Sequence, residues 1–209
     1  MIIEYPLADR ELIDTAFSIT DEASNRSVVL STAFVPEGRY VSLGASNKPE
    51  QNVNEVNCNN DGILVFRRQS GGEAVYISPN CVVYSSVAVG ANLPKSAEFF
   101  NNNLQFVMDT LSSFGVIGIA RKGISDLTIN DKKILGCAIY RKPRLLLFQS
   151  VINVCESPLT IESYLLHPQR EPDYRNNRKH SDFITSLHLE GYSLSPQQLA
   201  EALAVGITL

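Results

Sequence analysis

Arg67-Arg68-Gln69-Ser70-Gly71-Gly72-Glu73-Ala74-Val75-Tyr76 is the stretch on which the reading of this chain turns. Two cations close an apolar run that begins at Ile63, and a glycine pair bends the chain into a second β-branched run. Consecutive backbone N–H groups in such a bend can converge on an anion, and guanidinium groups grip phosphate or carboxylate bidentately. The stretch is therefore a candidate seat for negative charge; a plain hairpin turn with arginines facing water is the alternative that spacing leaves open. It is not a P-loop, because the Gly-Lys-Ser/Thr ending and the following helix are missing.

Working outward, residues 63–68, 74–78 and 81–89 read as strands from their β-branched and aromatic content. Upstream, residues 9–23 read as an amphipathic helix with Leu12, Ile13, Ala16, Phe17 and Ile19 on one face and Asp9 as cap. Residues 27–35 and 40–43 read as strands joined in a hairpin by Pro36-Glu37-Gly38, and residues 50–58 as a short helix. Downstream, Ser96 is placed to cap a helix carrying Phe100, Leu104, Val107, Leu111 and Phe114 and ending at Gly115. Four strands follow at 116–120, 126–129, 133–140 and 144–154, with turns at Asn130-Asp131 and Lys142-Pro143. Ser195-Pro196 with Gln198 opens a last helix to about Ala204. Hairpin connections of this kind predict an α+β fold, a mixed and mostly antiparallel sheet flanked by helices.

With 209 residues, 44% of them hydrophobic, the chain suffices for one core and is short for two, so a single domain over 1–209 is expected. A formal net charge of -4 gives no reason to expect a nucleic-acid partner. The first ten residues hold no apolar run of signal-peptide or membrane-span length, which predicts a cytoplasmic protein with no membrane partner. Cys58, Cys81, Cys137 and Cys155 lie far apart without CxxC spacing and read as reduced thiols, and His167, His180 and His188 do not pair with them as zinc ligands would.

A second constellation lies downstream: Gly123-Ile124-Ser125-Asp126-Leu127, then Asp131-Lys132-Lys133-Ile134-Leu135-Gly136-Cys137-Ala138. A lysine entering an apolar strand can hold its ammonium at a fixed point, and Gly136 would let a ligand approach the backbone. Spacing alone leaves open that Lys132 and Lys133 merely solubilise a hairpin. Asp126 is open between a turn-forming side chain and a magnesium-facing carboxylate.

In this order and separation the two segments resemble the signature of lipoate-protein ligases and the wider biotin/lipoate protein ligase fold. The family's Arg-Arg-x-Ser/Thr-Gly-Gly-x-Ala-Val is matched by Arg67, Arg68, Ser70, Gly71, Gly72, Ala74 and Val75. Its Ser/Asn-Asp-Leu and Lys-Ile/Val/Phe-x-Gly-x-Ala are matched by Ser125, Asp126, Leu127, Lys133, Ile134, Gly136 and Ala138. Val41 to Gly44, Glu171 to Arg175 and His180 to Leu187 extend the likeness over most of the chain. The resemblance implies an enzyme that joins lipoate or octanoate to ATP as an acyl-adenylate and passes the acyl group to a lysine of an acceptor domain. That domain would be of the 2-oxoacid dehydrogenase E2 or glycine cleavage H protein type. Lys133 would be the catalytic lysine, and Arg68, Ser70, Gly71, Gly72, Ala74, Val75, Gly136 and Ala138 would bind the acyl-adenylate. Asp126 would help hold Mg2+.

Some positions depart from the pattern. Glu73 stands where many members have a third glycine, Ile77 where they have histidine, and Phe148-Gln149 where they have His-Gly. The chain ends at Leu209, where large bacterial ligases continue into an accessory domain, which leaves three expectations open: a separate accessory protein as partner, transfer of a preformed acyl-adenylate only, or a compact ligase that works without the extension. Two alternatives follow from the same resemblance: an acyl-carrier-protein-dependent octanoyl or lipoyl transferase, which would need a cysteine nucleophile, and a non-catalytic lipoate-binding relative.

Overall fold

The computed structural model describes residues 2–4, 7–19 and 27–204. Its strands divide between two sheets. β2 (Ser27–Phe34), β6 (Cys81–Gly90), β10 (Leu145–Asn153), β9 (Lys132–Lys142), β8 (Asp126–Ile129) and β7 (Ala120–Lys122) lie side by side in that order, every pair antiparallel. β1 (Ile2–Glu4), β4 (Leu64–Arg67), β3 (Tyr40–Leu43) and β5 (Val75–Ile77) form a smaller sheet in which β4 runs parallel to both β1 and β3. The α+β class with a mostly antiparallel arrangement is as expected.

The expected hairpin of residues 27–35 and 40–43 is corrected: β2 joins the large sheet through β6, whereas β3 lies in the small sheet between β4 and β5. Turn chemistry at Pro36-Glu37-Gly38 bends a chain but cannot say whether the strand that follows returns to its neighbour. The expected helix at 50–58 is two short helices, α2 (Pro49–Asn52) and α3 (Glu55–Asn60), because Val53 leaves helical geometry and Asn54 caps the second through the Asn57 N–H. The strand expected at 116–120 begins four residues later, as the three-residue β7.

Helix α1 (Leu7–Ile19) buries Ala16 with Leu12 and Ile13 beside it, as its periodicity predicts, while Phe17 and Ile19 stay exposed. Asp9 falls inside this helix and not at its start; residues 20–23 of the expected span lie outside the described residues. Helix α4 (Ser96–Ser113) takes Lys95 as its N-cap residue without a side-chain cap, so Ser96 opens the helix but does not cap it. Leu104, Val107 and Leu111 are buried as expected, joined by Phe99. α5 (Pro158–Tyr164) and α6 (His180–Phe183) precede α7 (Pro196–Ala204), where Ser195 Oγ accepts from the Gln198 N–H at 3.2 Å and Gln198 Oε1 from the Ser195 N–H at 3.1 Å. That reciprocal pair is the predicted capping box. The β8–β9 turn holds Asn130 and Asp131 at φ +49° and +63°, the left-handed geometry that the predicted Asn-Asp pair tolerates.

The main core lies where α4 and α7 cover one face of the large sheet, around Phe148, Leu146, Ile152 and Tyr84. Alternation sends Gln149 and Val151 of β10 and Val83 of β6 to the opposite face, where the small sheet approaches. Among the described residues no helix is long and apolar enough to cross a membrane.

Candidate functional site

A bulge in β9 aims the expected catalytic lysine. Leu135 pairs with Leu127 and Lys133 with Thr128, so Ile134 is an extra residue in the ladder. Ile134 and Leu135 are consecutive yet both buried in the main core, at 1% exposure each. In an unbroken strand Lys133 and Gly136, three apart, would point to opposite faces; the extra residue returns them to the same one. The side chain of Lys133 then lies over Gly136, where an added Cβ would meet Nζ at 2.8 Å and Cε at 2.9 Å. The sequence reading reserved this glycine's space for a ligand, but the lysine itself fills it.

Lys133 Nζ pairs with Asp126 Oδ1 at 2.8 Å, and the phenol hydroxyl of Tyr174 donates to Asp126 Oδ2 at 2.8 Å. Burial, then the Asp126 charge, push the Tyr174 phenol up, which keeps it a donor. Both oxygens of this buried carboxylate are thus engaged, and one of the three Lys133 N–H groups is fixed while two are left for a ligand. Asp126 does not fit the expected role of magnesium ligand: metal and lysine would compete for the same oxygen. Among the described residues no group of three His, Cys, Asp or Glu side chains is arranged to hold an ion.

Arg68 is bonded to the loop that it precedes. Its guanidinium, 8% exposed, donates to the Gly71 carbonyl through Nε and Nη2, to the Glu73 carbonyl through Nη2 and to Ser42 O through Nη1. It gathers the carbonyls of the glycine bend and so shapes the bend instead of reaching for a phosphate. Arg67 does the same on the other side, with Nη1 donating to the carbonyls of Gly44, Ala45 and Asn47. Gly44 has to be glycine, since a Cβ there would fall 1.9 Å from Gly72 O. Ser70 Oγ donates to Gln149 Oε1 at 2.8 Å, tying the bend to the large sheet.

Two cavities open on this region. The first runs between the sheets and is lined by the expected residues Arg68, Ser70, Gly72, Ala74, Val75, Gly136 and Ala138, together with Lys133. Val83 and Val151 add apolar wall. Gly71 and Asp126 stand behind the lining and not in it. The second cavity was not anticipated. Asn52, Arg175 and His180 line it, each more than nine-tenths buried, with Leu166 and Arg170. Four of the residues that line this cavity carry a buried polar atom without a hydrogen-bond partner: Asn52 Oδ1, Glu73 Oε2, Arg175 Nη2 and His180 Nδ1. Buried polar groups in folded proteins are nearly all paired, so such a concentration marks a place completed by something else. Burial lowers the His180 pKa, and its Nε2–H is directed at Leu166 O, which leaves Nδ1 with a free lone pair. The two cavities share three residues, Glu73, Ala74 and Lys133.

Residues 166–180 contribute Tyr174, Arg175, His180 and Arg170, whose Nε lies 3.7 Å from Glu73 Oε1. The signal in the sequence was the likeness of residues 171–175 and 180–187 to compact ligases, which carried no role for any one side chain. Cys137, also on the first cavity, directs its thiol at Ser125 O at 3.0 Å, and burial pushes its pKa up to about 12 against the opposing pull of Lys133.

Residues 20–208 match the model of the lipoyl protein ligase A/B catalytic domain. Lipoate–protein ligase 1 of Plasmodium falciparum is 26% identical over 157 residues, a match covering 75% of this chain and 35% of that protein, so the chain spans about a third of its curated relative. A bipartite lipoate protein ligase from Thermoplasma acidophilum, studied with its E2 lipoyl domain, shares the fold at a TM-score of 0.72 and 19% identity, over 97% of this chain and 78% of the other. A lipoate-protein ligase A bound with ATP gives 0.70 and 18%, over 97% and 81%.

Proposed function

This chain belongs to the lipoyl protein ligase A/B catalytic domain family, and on that premise we propose that it forms or uses a lipoyl or octanoyl adenylate and transfers the acyl group to a lysine of an acceptor domain. One observation carries the reading: Lys133 stands, with Glu73 and Ala74, on the wall common to two cavities. An acyl-adenylate is a molecule in two halves, an apolar tail and a nucleotide, joined at a mixed anhydride where negative charge develops in both half-reactions. The first cavity, walled by Val75, Val83, Ala138 and Val151, suits the tail. The second, with its unpaired Asn52, Arg175 and His180 atoms, suits the polar nucleotide. Lys133 marks their junction.

In the first half-reaction the acyl carboxylate attacks the α-phosphorus of ATP and pyrophosphate leaves; in the second an acceptor lysine attacks the acyl carbon and AMP leaves. Lys133 faces both centres with its two N–H groups not held by Asp126. Asp126 keeps the ammonium from swinging to solvent, and Tyr174 keeps Asp126 in place. Arg68 holds the glycine bend, of which Ser70 and Gly72 line the first cavity. A thioester route through Cys137 is disfavoured, because its buried thiol is held protonated. The acceptor is expected to be an E2 lipoyl domain or an H protein, with or without a separate accessory protein.

The test is lipoate-dependent exchange of pyrophosphate into ATP, followed by transfer from synthetic lipoyl-adenylate to an E2 lipoyl domain. Lys133→Ala is expected to lower transfer about a hundred- to a thousandfold, the usual loss when a positioned charge donor is removed. A wild-type chain that performs neither reaction, alone or with an accessory protein, would refute the proposal.

A further inference from the structure

We propose that Glu73 is the carboxylate that receives the incoming acceptor lysine and takes its proton as the amide forms. The inference rests on the ligase reading above and concerns its second half-reaction. Glu73 lines both cavities beside Lys133, so its side chain borders the point where acyl carbon meets phosphate. Its two oxygens are differently placed. Oε1 faces Arg170 Nε at 3.7 Å, whereas Oε2 is buried and has no hydrogen-bond partner. A buried carboxylate oxygen calls for an N–H or O–H donor. The mixed anhydride cannot supply one at its junction, since the acyl carbonyl, the bridging oxygen and the phosphate oxygens are all acceptors. The group that must arrive at that point in the second half-reaction is a lysine side chain, which brings three N–H donors and a positive charge.

Charge points the same way. An ammonium approaching the junction meets the like charges of Lys133, Arg170 and Arg175 around the two cavities. Asp126 cannot offset them for the newcomer, because both its oxygens are taken by Lys133 and Tyr174. Glu73 is the carboxylate on the lining that still has an oxygen to offer. His180 Nδ1, the other unpartnered acceptor with a basic lone pair, faces the second cavity and not the shared wall. Glu73 Oε2 first takes one proton from the ammonium and passes it to water, which frees the nitrogen lone pair; the nitrogen then bonds to the acyl carbon, the bond from that carbon to the phosphate oxygen breaks, AMP departs with the electron pair, and the second proton passes from nitrogen to Oε2 and on to water.

The experiment uses synthetic lipoyl-adenylate and an E2 lipoyl domain under single-turnover conditions, with pyrophosphate exchange measured in parallel. Glu73→Gln keeps the shape and removes the base; transfer is expected to fall about a hundred- to ten-thousandfold relative to exchange, in the rate constant more than in the KM for the acceptor. Glu73→Gly opens a space at the same place, and added formate is expected to restore part of its transfer rate. Were Glu73→Gln to transfer within twofold of wild type, or to lose exchange while transferring normally from preformed adenylate, the carboxylate would belong to nucleotide binding and the inference would fall alone. A wild-type chain inactive in both assays would remove the ligase reading together with it.

Discussion

Gly136→Ala asks whether the rate depends on where the Lys133 ammonium lies, not merely on its presence. The added Cβ would meet Nζ at 2.8 Å and Cε at 2.9 Å, while Asp126 Oδ1 at 3.8 Å would be in ordinary contact. Comfortable separation is about 3.5–4.0 Å, so the ammonium has to retreat by about 1 Å, and its 2.8 Å pair with Asp126 has to bend or open. A displacement of that size at a reacting centre costs about a hundredfold in rate. The obstructed atoms are the far end of a flexible chain, so the fold should barely notice: about 1 kcal/mol in a chain of this size moves Tm by about 2–4 °C. The assay is single-turnover transfer from lipoyl-adenylate alongside a thermal melt, for Gly136→Ala, Lys133→Ala and the double variant. If both changes act through one ammonium, the double variant will be no slower than Lys133→Ala. A Gly136→Ala protein within threefold of wild type, or a double variant with multiplied losses, would refute the reasoning.

Two further outcomes are expected. With its pKa pushed up to about 12 by burial, the Cys137 thiol should alkylate with iodoacetamide at least a hundredfold more slowly in the folded chain than in urea, read by peptide mass spectrometry at pH 8; equal rates would reopen the thioester route. Burial lowers the His180 pKa below its ordinary 6.5, so stability should be intact above about pH 6.5 and decline as pH falls, because the unfolded chain then binds the proton more readily. Denaturant melts from pH 7.5 to 5 should show that slope in wild type and a shallower one in His180→Gln.

What the sequence could and could not disclose follows from how local each feature is. The glycine bend, the Lys133 segment, the Asn130-Asp131 turn and the Ser195–Gln198 cap are set within a few residues of chain, and each formed where its residues indicated. The partner of β3 was not local: residues 40–43 alternate in the same way whichever sheet they join. The Tyr174–Asp126 bond, 48 residues apart in sequence, was invisible for the same reason. Arg68 lines the cavity as expected, but a guanidinium beside glycines can serve a phosphate or the loop's own carbonyls, and its bonds to Gly71 and Glu73 appear only in the fold. The second cavity draws Asn52, Glu73, Arg175 and His180 from three separate regions, none of which carries a motif for it.

The extra residue at Ile134 turns the direction of one side chain into a matter of counting. Removing Ile134 would let the ladder close regularly, with Lys133 still opposite Thr128 and, two residues from Gly136, still on the cleft face. Regular pairing at the present length would instead invert parity ahead of Leu135 and swing the ammonium from the cleft toward oil. At this strand length the bulge is what keeps the cation in the cleft, and the adjacent pair Ile134-Leu135, two greasy neighbours where strict alternation would allow one, is the mark by which that constraint is written into the primary structure.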